Sequence, residues 1–287
     1  MRRYKQRVPD VNKILDAMVG RQMIDNHNNI QNDHIAFRTM GVPQLGIQSL
    51  EKIFLHYGYV RQDAYYFSQK KLDANWYAPP YEDMPRIFIS ELRVEDLSKN
   101  VRDTIMSYTD EVKTDPINNI NIDSAQAVDD FLHDSLWRLP DYRDFSQLRE
   151  ESEYASWVIY NRYYLNHYTI SVHELPAPYG TLSTFNDFLE SIGIVLNDSG
   201  GKIKTSADGL LLQSSTVSKL IDAKFADGRI EKISGSYVEF AERKVLHKYA
   251  SLDADKIKRI HRREGFEANN ADKIFESTYS DQTCKTV

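Results

Sequence analysis

Three polar side chains stand where strands should carry apolar ones. In "DHIAFRTM", residues 33–40, alternate residues of a strand share a face, so His34, Ala36 and Arg38 point one way and Ile35, Phe37 and Thr39 the other. In "NHYTISVHEL" His167 shares a face with Thr169, Ser171 and His173, opposite Tyr168, Ile170 and Val172. In "GSYVEFAERKV" Glu239 lies with Tyr237 and Ala241, opposite Val238 and Phe240. Two imidazoles and one carboxylate on rigid strands match the two-His-one-carboxylate set that holds one face of Fe(II) and leaves other positions open. Each residue also has a plainer reading. A strand histidine commonly serves as a hydrogen-bonded structural group, and a strand glutamate can be a solvated edge residue. His173 rivals His167, and Glu242 rivals Glu239 from the opposite strand face.

Arg38 lies four positions beyond His34, about 13 Å along the strand, and its long side chain can lean back. Its guanidinium fork suits the carboxylate of an anionic substrate, or else a structural ion pair. Glu91, in "FISEL", is placed by element order where Glu239 stands in the second half. It is either a further ligand, a partner for a histidine N–H, or a buried structural carboxylate. Gln213, Ser214 and Ser215, near a strand end, either orient a bound acid or close ladder and turn hydrogen bonds.

The elements that must position these residues come in a repeated order. The opening "DVNKILDAMVGRQMI" reads as a helix with Asp10 placed to cap it. A first module, about residues 31–94, reads strand, helix, strand, strand, strand, its helix "LGIQSLEKIFLHYGY" ending at Gly58. A helical insertion spans about 95–164. A second module, about 165–246, repeats the order, with Asp208-Gly209 as a hairpin turn. Sequence identity between the halves is negligible, so the repeat is one of element order. It brings His34, His167 and Glu239 into register. The extension 247–287 is charged and partly helical and is expected to wrap the outside or cover a site edge. The expected architecture is therefore α+β, a single domain over 1–287 with two βαβββ-type modules.

Composition narrows the function classes. The 287-residue chain carries a net charge of −6 and has a pI of about 5.8, which gives no sign of a general nucleic-acid binder. No apolar run approaches a membrane span, and "MRRYKQRVPD" lacks the apolar core of a signal peptide, so a soluble cytoplasmic protein is expected. The single cysteine, Cys284, excludes an intrachain disulfide and multi-cysteine zinc sites.

The element order, with metal-type residues on first and last strands, is similar to the vicinal oxygen chelate superfamily. The stretches "DHIAFRT", "FISELRV", "LNHYTISV", "SADGLLLQSST", "GSYVEFAER" and "HRREGFEANNADKIFEST" together resemble the 2-oxoadipate dioxygenase/decarboxylase family, from about Asn12 to Tyr279. The resemblance implies a curved vicinal-oxygen-chelate-like sheet around a metal site. It implies that His34, His167 and Glu239 bind Fe(II), and that Arg38 is the catalytic, substrate-binding residue that pairs with a substrate carboxylate. It also implies a reaction: 2-oxoadipate, or a related 2-oxo dicarboxylic acid, and O2 give 2-hydroxyglutarate and CO2, with no separate 2-oxoglutarate. Bacterial members are considerably longer, so metal chemistry carries over to this compact chain more directly than substrate identity does. Two other readings stand beside it: a Zn, Ni or Mn lyase, isomerase or hydrolase on the same scaffold, and a non-enzymatic small-molecule binder.

Overall fold

The computed structural model describes residues 2–286. Helices α1 (Arg2–Arg7) and α2 (Pro9–Gly20) come first. In α2, Val11, Ile14, Leu15 and Met18 recur at helical spacing and are buried. Pro9 opens the helix, where its missing N–H leaves no bond unmade. Asp10 is not the cap: it sits inside the first turn, 2.6 Å from Lys219 Nζ.

The first module is β1 (Asn32–Met40), α3 (Ile47–His56), β2 (Val60–Phe67), β3 (Leu72–Ala78) and β4 (Arg86–Leu92). The insertion supplies α4 (Lys99–Thr109), α5 (Ala125–Phe131), α6 (Tyr142–Glu151) and α7 (Glu153–Asn161). The second module is β5 (His167–Ser171), α8 (Leu182–Ser191), β6 (Lys204–Thr205), β7 (Leu211–Ser215) and β10 (Tyr237–Arg243), interrupted by a hairpin of β8 (Leu220–Lys224) and β9 (Ile230–Ser234). Helices α9 (Ala268–Phe275) and α10 (Ser280–Thr283) form the tail.

One eight-stranded sheet, a curled half-barrel, contains both modules in the order β2-β3-β4-β1-β5-β10-β7-β6. The two first strands, β1 and β5, meet antiparallel at its centre, and each has its module's last strand parallel beside it. The outer face of β5 and β10, with Tyr168, Ile170, Val238 and Phe240, is covered by α2 and α8. That leaves the inner face of the same strands for polar chemistry.

The sequence reading overlooked the β8–β9 hairpin. Its alternation is short, with Ala223 and Ile233 buried between charged neighbours, and it turns at Gly228, whose φ of 82° needs a glycine. The Asp208-Gly209 turn does join β6 to β7. Of the two expectations for the tail, covering an edge of the inner-face pocket is the one realised: Phe266, Ile274 and Phe275 are buried and line it. Among the described residues no helix is long and apolar enough to cross a membrane.

Candidate metal centre

His34 near the start of β1, His167 at the start of β5 and Glu239 in β10 converge on the inner face. Their donor atoms all lie within 4.8 Å of one another, and all three residues are buried. Glu239 Oε2 is 3.0 Å from His167 Nε2 and 3.5 Å from His34 Nε2, and the two Nε2 atoms are 3.4 Å apart. The rings meet edge to face at 85°.

Each histidine is aimed by the residue before it. Asp33 Oδ1 lies 2.8 Å from His34 Nδ1, and Asn166 Oδ1 lies 3.0 Å from His167 Nδ1. With Nδ1–H donating outward, each ring turns its Nε2 lone pair into the site, where the Thr169 hydroxyl lies 3.0 Å from that of His34. Neighbours along a regular strand point to opposite faces. A register shift of β1 between Asn32 and Ile35 accommodates Asp33 beside the ring of His34. Asp33 is itself held by Arg243, through Nε at 2.6 Å and Nη2 at 2.9 Å, and by Arg86 Nη1 at 3.3 Å. Glu239 is fixed from behind: Gln213 Nε2 donates to its Oε1 at 2.7 Å, and Asn270 Nδ2 of α9 donates to Gln213 Oε1 at 3.0 Å.

The electrostatics follow from these partners. Burial opposes ionisation of Asp33, but Arg243 and Arg86 outweigh it and hold the carboxyl well below its usual range. Burial likewise opposes charge on Glu239, and the two imidazoles overcome it, so its pKa is strongly lowered. Burial pushes down the pKa of both rings. At His34 the Glu239 and Asp33 carboxylates reverse the effect and the pKa rises. His167, whose Nδ1 faces a neutral amide, ends lowered. Two imidazoles that present Nε2 and one ionised carboxylate are a donor set that fits a divalent ion of the Fe, Zn, Ni or Mn type.

Arg38 lines the same pocket and is 1% exposed. Nη1 donates to Thr278 Oγ1 at 2.9 Å and Nη2 to the Phe275 carbonyl at 3.0 Å. The guanidinium lies 5.1 Å from the ring centroids of both Tyr154 and Trp157, on α7 of the insertion. Among the described residues it forms no ion pair, and its Nε has no hydrogen-bond partner. The structural-ion-pair reading of Arg38 is therefore not realised.

The other candidates go elsewhere. Glu91 Oε2 accepts from the backbone N–H of Ile47, the first residue of α3, at 2.7 Å. Glu242 Oε2 accepts from the N–H of Leu182, the first residue of α8, at 2.7 Å. The pair do the same task in the two modules, where carboxylates suit helix N-termini. Strand register makes the same point: His34 pairs with Arg86 and Ala36 with Phe88, as His167 pairs with Tyr237 and Thr169 with Glu239. The counterpart of Glu239 is Phe88, not Glu91. His173 belongs to a short 3-10 turn after β5, where its Nδ1 accepts from the N–H of Arg243 at 3.2 Å. Ser214 Oγ donates to Asn186 Oδ1 of α8, and Ser215 Oγ pairs with Ser277 Oγ at 2.8 Å, so both are structural. Sequence reasoning missed Asp33 and Asn166, although each announces itself as a polar residue directly before a strand histidine.

A half-barrel of two βαβββ modules with two histidines and a carboxylate on its inner strands defines a vicinal-oxygen-chelate-like protein with a metal-type centre. Residues 1–257 match the 2-oxoadipate dioxygenase/decarboxylase family, and the chain belongs to that family. It is 46% identical over 261 residues to the chloroplastic 2-oxoadipate dioxygenase/decarboxylase of Arabidopsis thaliana, covering 87% of this chain and 68% of that protein. The crystal structure of hydroxyglutarate synthase from Oryza sativa, in complex with 2-oxoadipate, superposes with a TM-score of 0.90 at 41% identity, over 99% of this chain and 90% of the other. A glyoxalase superfamily protein from Ralstonia eutropha JMP134 shares the fold, with a TM-score of 0.67 at 19% identity over 92% and 82% of the two chains.

Proposed function

We propose that this chain is a non-haem Fe(II)-dependent dioxygenase/decarboxylase that converts 2-oxoadipate, or a closely related 2-oxo dicarboxylic acid, with O2 to 2-hydroxyglutarate and CO2. One observation carries the reading: a buried donor triad and a buried arginine with no carboxylate partner line one pocket. His34, His167 and Glu239 would hold the ion. Bound Fe(II) supplies the redox chemistry that lets O2 react with a 2-oxo acid. The whole chain, both modules with the insertion and tail, acts as one domain in this reading.

The residues of the chain do the rest. Two neutral imidazoles and one carboxylate leave a divalent ion with net charge +1, which favours an anionic ligand at the open positions. Phe88 offers no donor where a fourth ligand would stand. Arg38 supplies a second cationic point, and its apolar and aromatic walls keep water from screening it. A dicarboxylic acid with a 2-oxo group meets both points at once.

Anaerobic metal titration of His34→Ala, His167→Ala and Glu239→Ala tests the ligand assignment. Each variant should lose tight Fe(II) binding while the far-ultraviolet dichroism stays that of wild type. Wild-type affinity in all three would remove the triad from metal binding.

A further inference from the structure

Asn166 carries a buried amide group that the fold leaves without a partner. The residue is 1% exposed, and its backbone is pinned on both sides: its N–H donates to the Ala36 carbonyl, and its carbonyl accepts from the N–H of Tyr237. Its Oδ1 faces His167 Nδ1. Its Nδ2 has no hydrogen-bond partner and is shielded from solvent. A fold rarely tolerates this, because a buried donor that has lost its water is destabilising until something accepts from it.

The orientation of that amide is not arbitrary. If Nε2 of His167 is to hold a metal, Nδ1 must carry the proton and donate it. The amide atom facing Nδ1 must then be the oxygen, which directs the NH2 group away from the ring. Among the described residues only two with an unpaired buried side-chain polar atom line the pocket of the triad, and the atoms are Asn166 Nδ2 and Arg38 Nε. Both are donors. The pocket thus lacks acceptors, which is what an anionic oxygen would bring.

Strand register says where along the pocket the donor lies. β5 runs antiparallel to β1 with His167 opposite Ala36, so the residue before His167 is one step from the triad toward Arg38. We propose that Asn166 is a substrate-contacting residue: Nδ2 donates to an oxygen of the carboxylate that Arg38 binds, at the end of the acid remote from the metal. Oδ1 meanwhile fixes the His167 ring, so one amide couples the metal-bearing imidazole to recognition of the distal carboxylate. This inference rests on the metal-and-acid reading above.

The test uses the full chain loaded anaerobically with Mn(II), so that binding is read without turnover. Calorimetric titration compares 2-oxoadipate with 2-oxohexanoate, which has the same length but lacks the distal carboxylate. At saturating Mn(II), Asn166→Ala should lose roughly 10- to 150-fold of the preference for 2-oxoadipate over 2-oxohexanoate, the loss expected for a hydrogen bond to a charged group, whatever affinity both acids lose with the acceptor for His167. Because Asn166→Ala also removes the acceptor for His167, Asn166→Asp is the second variant. It keeps an oxygen toward Nδ1, so Mn(II) affinity should stay at or above wild type, yet it should reject 2-oxoadipate more strongly than Asn166→Ala does. Equal 2-oxoadipate affinity in wild type and Asn166→Ala would overturn the inference. So would equal losses for both acids, which would move the donor to the metal end. Wild-type protein that takes up Mn(II) but binds neither acid would overturn the functional reading itself, and the inference with it.

Discussion

Phe88 and Glu239 occupy equivalent positions in the two halves of the sheet: each lies two residues along the last strand from the partner of its module's histidine. One half brings a carboxylate to the centre and the other an aromatic ring, packed 4.9 Å from the ring of Phe266. The pseudo-symmetric sheet could offer four ligands and offers three.

Restoring the fourth should close the site. Phe88→Glu is expected to retain Fe(II) more tightly than wild type and to lose turnover of 2-oxoadipate, because the added carboxylate takes a position that the substrate or O2 needs. Metal retention against a chelator and O2 uptake are the two readouts. Turnover at the wild-type rate in a variant with tighter metal would show that the Phe88 position is not vacant for chemistry.

Asp33 links a ligand histidine to two buried arginines. Asp33→Asn should leave Arg243 without its carboxylate, since the other contacts of its guanidinium are the backbone carbonyls of Arg263 and Gly265. Uncompensated buried charge of this kind costs about 3–5 kcal/mol, and loss of an outer hydrogen-bond partner typically lowers metal affinity by about 10–100-fold. Urea denaturation and metal titration check the two effects separately. A variant as stable as wild type would mean that the arginines find other partners.

Burial lowers the pKa of His173 to about 4, against an ordinary value near 6.5. The unfolded chain takes up this proton first as the pH falls. The neutral, largely enclosed ring therefore contributes stability that is present above about pH 6.5 and is lost as the pH falls from there to 4. At about 1.36 kcal/mol per pH unit, the loss over that window is about 3 kcal/mol. Denaturation of wild type and His173→Gln from pH 7 to 4 should show the variant losing less stability over the window. Superimposable profiles would contradict the neutral, structural role.

Arg38 is expected to act on binding rather than on the metal. Arg38→Met should weaken 2-oxoadipate binding by about 2–5 kcal/mol, roughly 30- to several-thousand-fold, if the pair is desolvated, with Fe(II) affinity unchanged. Arg38→Lys should rescue little, because one ammonium cannot reproduce the bonds to Thr278 and Phe275 and also meet a carboxylate. Unaltered substrate affinity in Arg38→Met would remove it from the site.

Period-two alternation singled out His34, His167, Glu239 and Arg38 as candidates, because a polar residue on a face whose neighbours are core residues breaks a physical expectation, but by itself it left a structural role open for each. Repeated element order then put them together. It failed at Glu91, where counting elements without strand register matched it to Glu239; the register shared by the parallel pairs matches it to Glu242. Asp33 and Asn166 were invisible to alternation, which sends neighbouring side chains to opposite faces: Asp33 reaches its histidine at a register shift of β1, and Asn166 stands just before β5 begins. Trp157, Phe275 and Thr278 enclose Arg38 from an inserted helix and from the tail. Contacts that distant in sequence carry no local signal.

Turnover of a dicarboxylic 2-oxo acid at the triad is read by O2 uptake after anaerobic reconstitution. Fe(II)-loaded protein should consume O2 only when 2-oxoadipate or a close dicarboxylic 2-oxo acid is added, releasing one CO2 and one 2-hydroxyglutarate per O2. Full turnover by metal-stripped protein, or no O2 consumption by Fe(II)-loaded protein with any such acid, would contradict it.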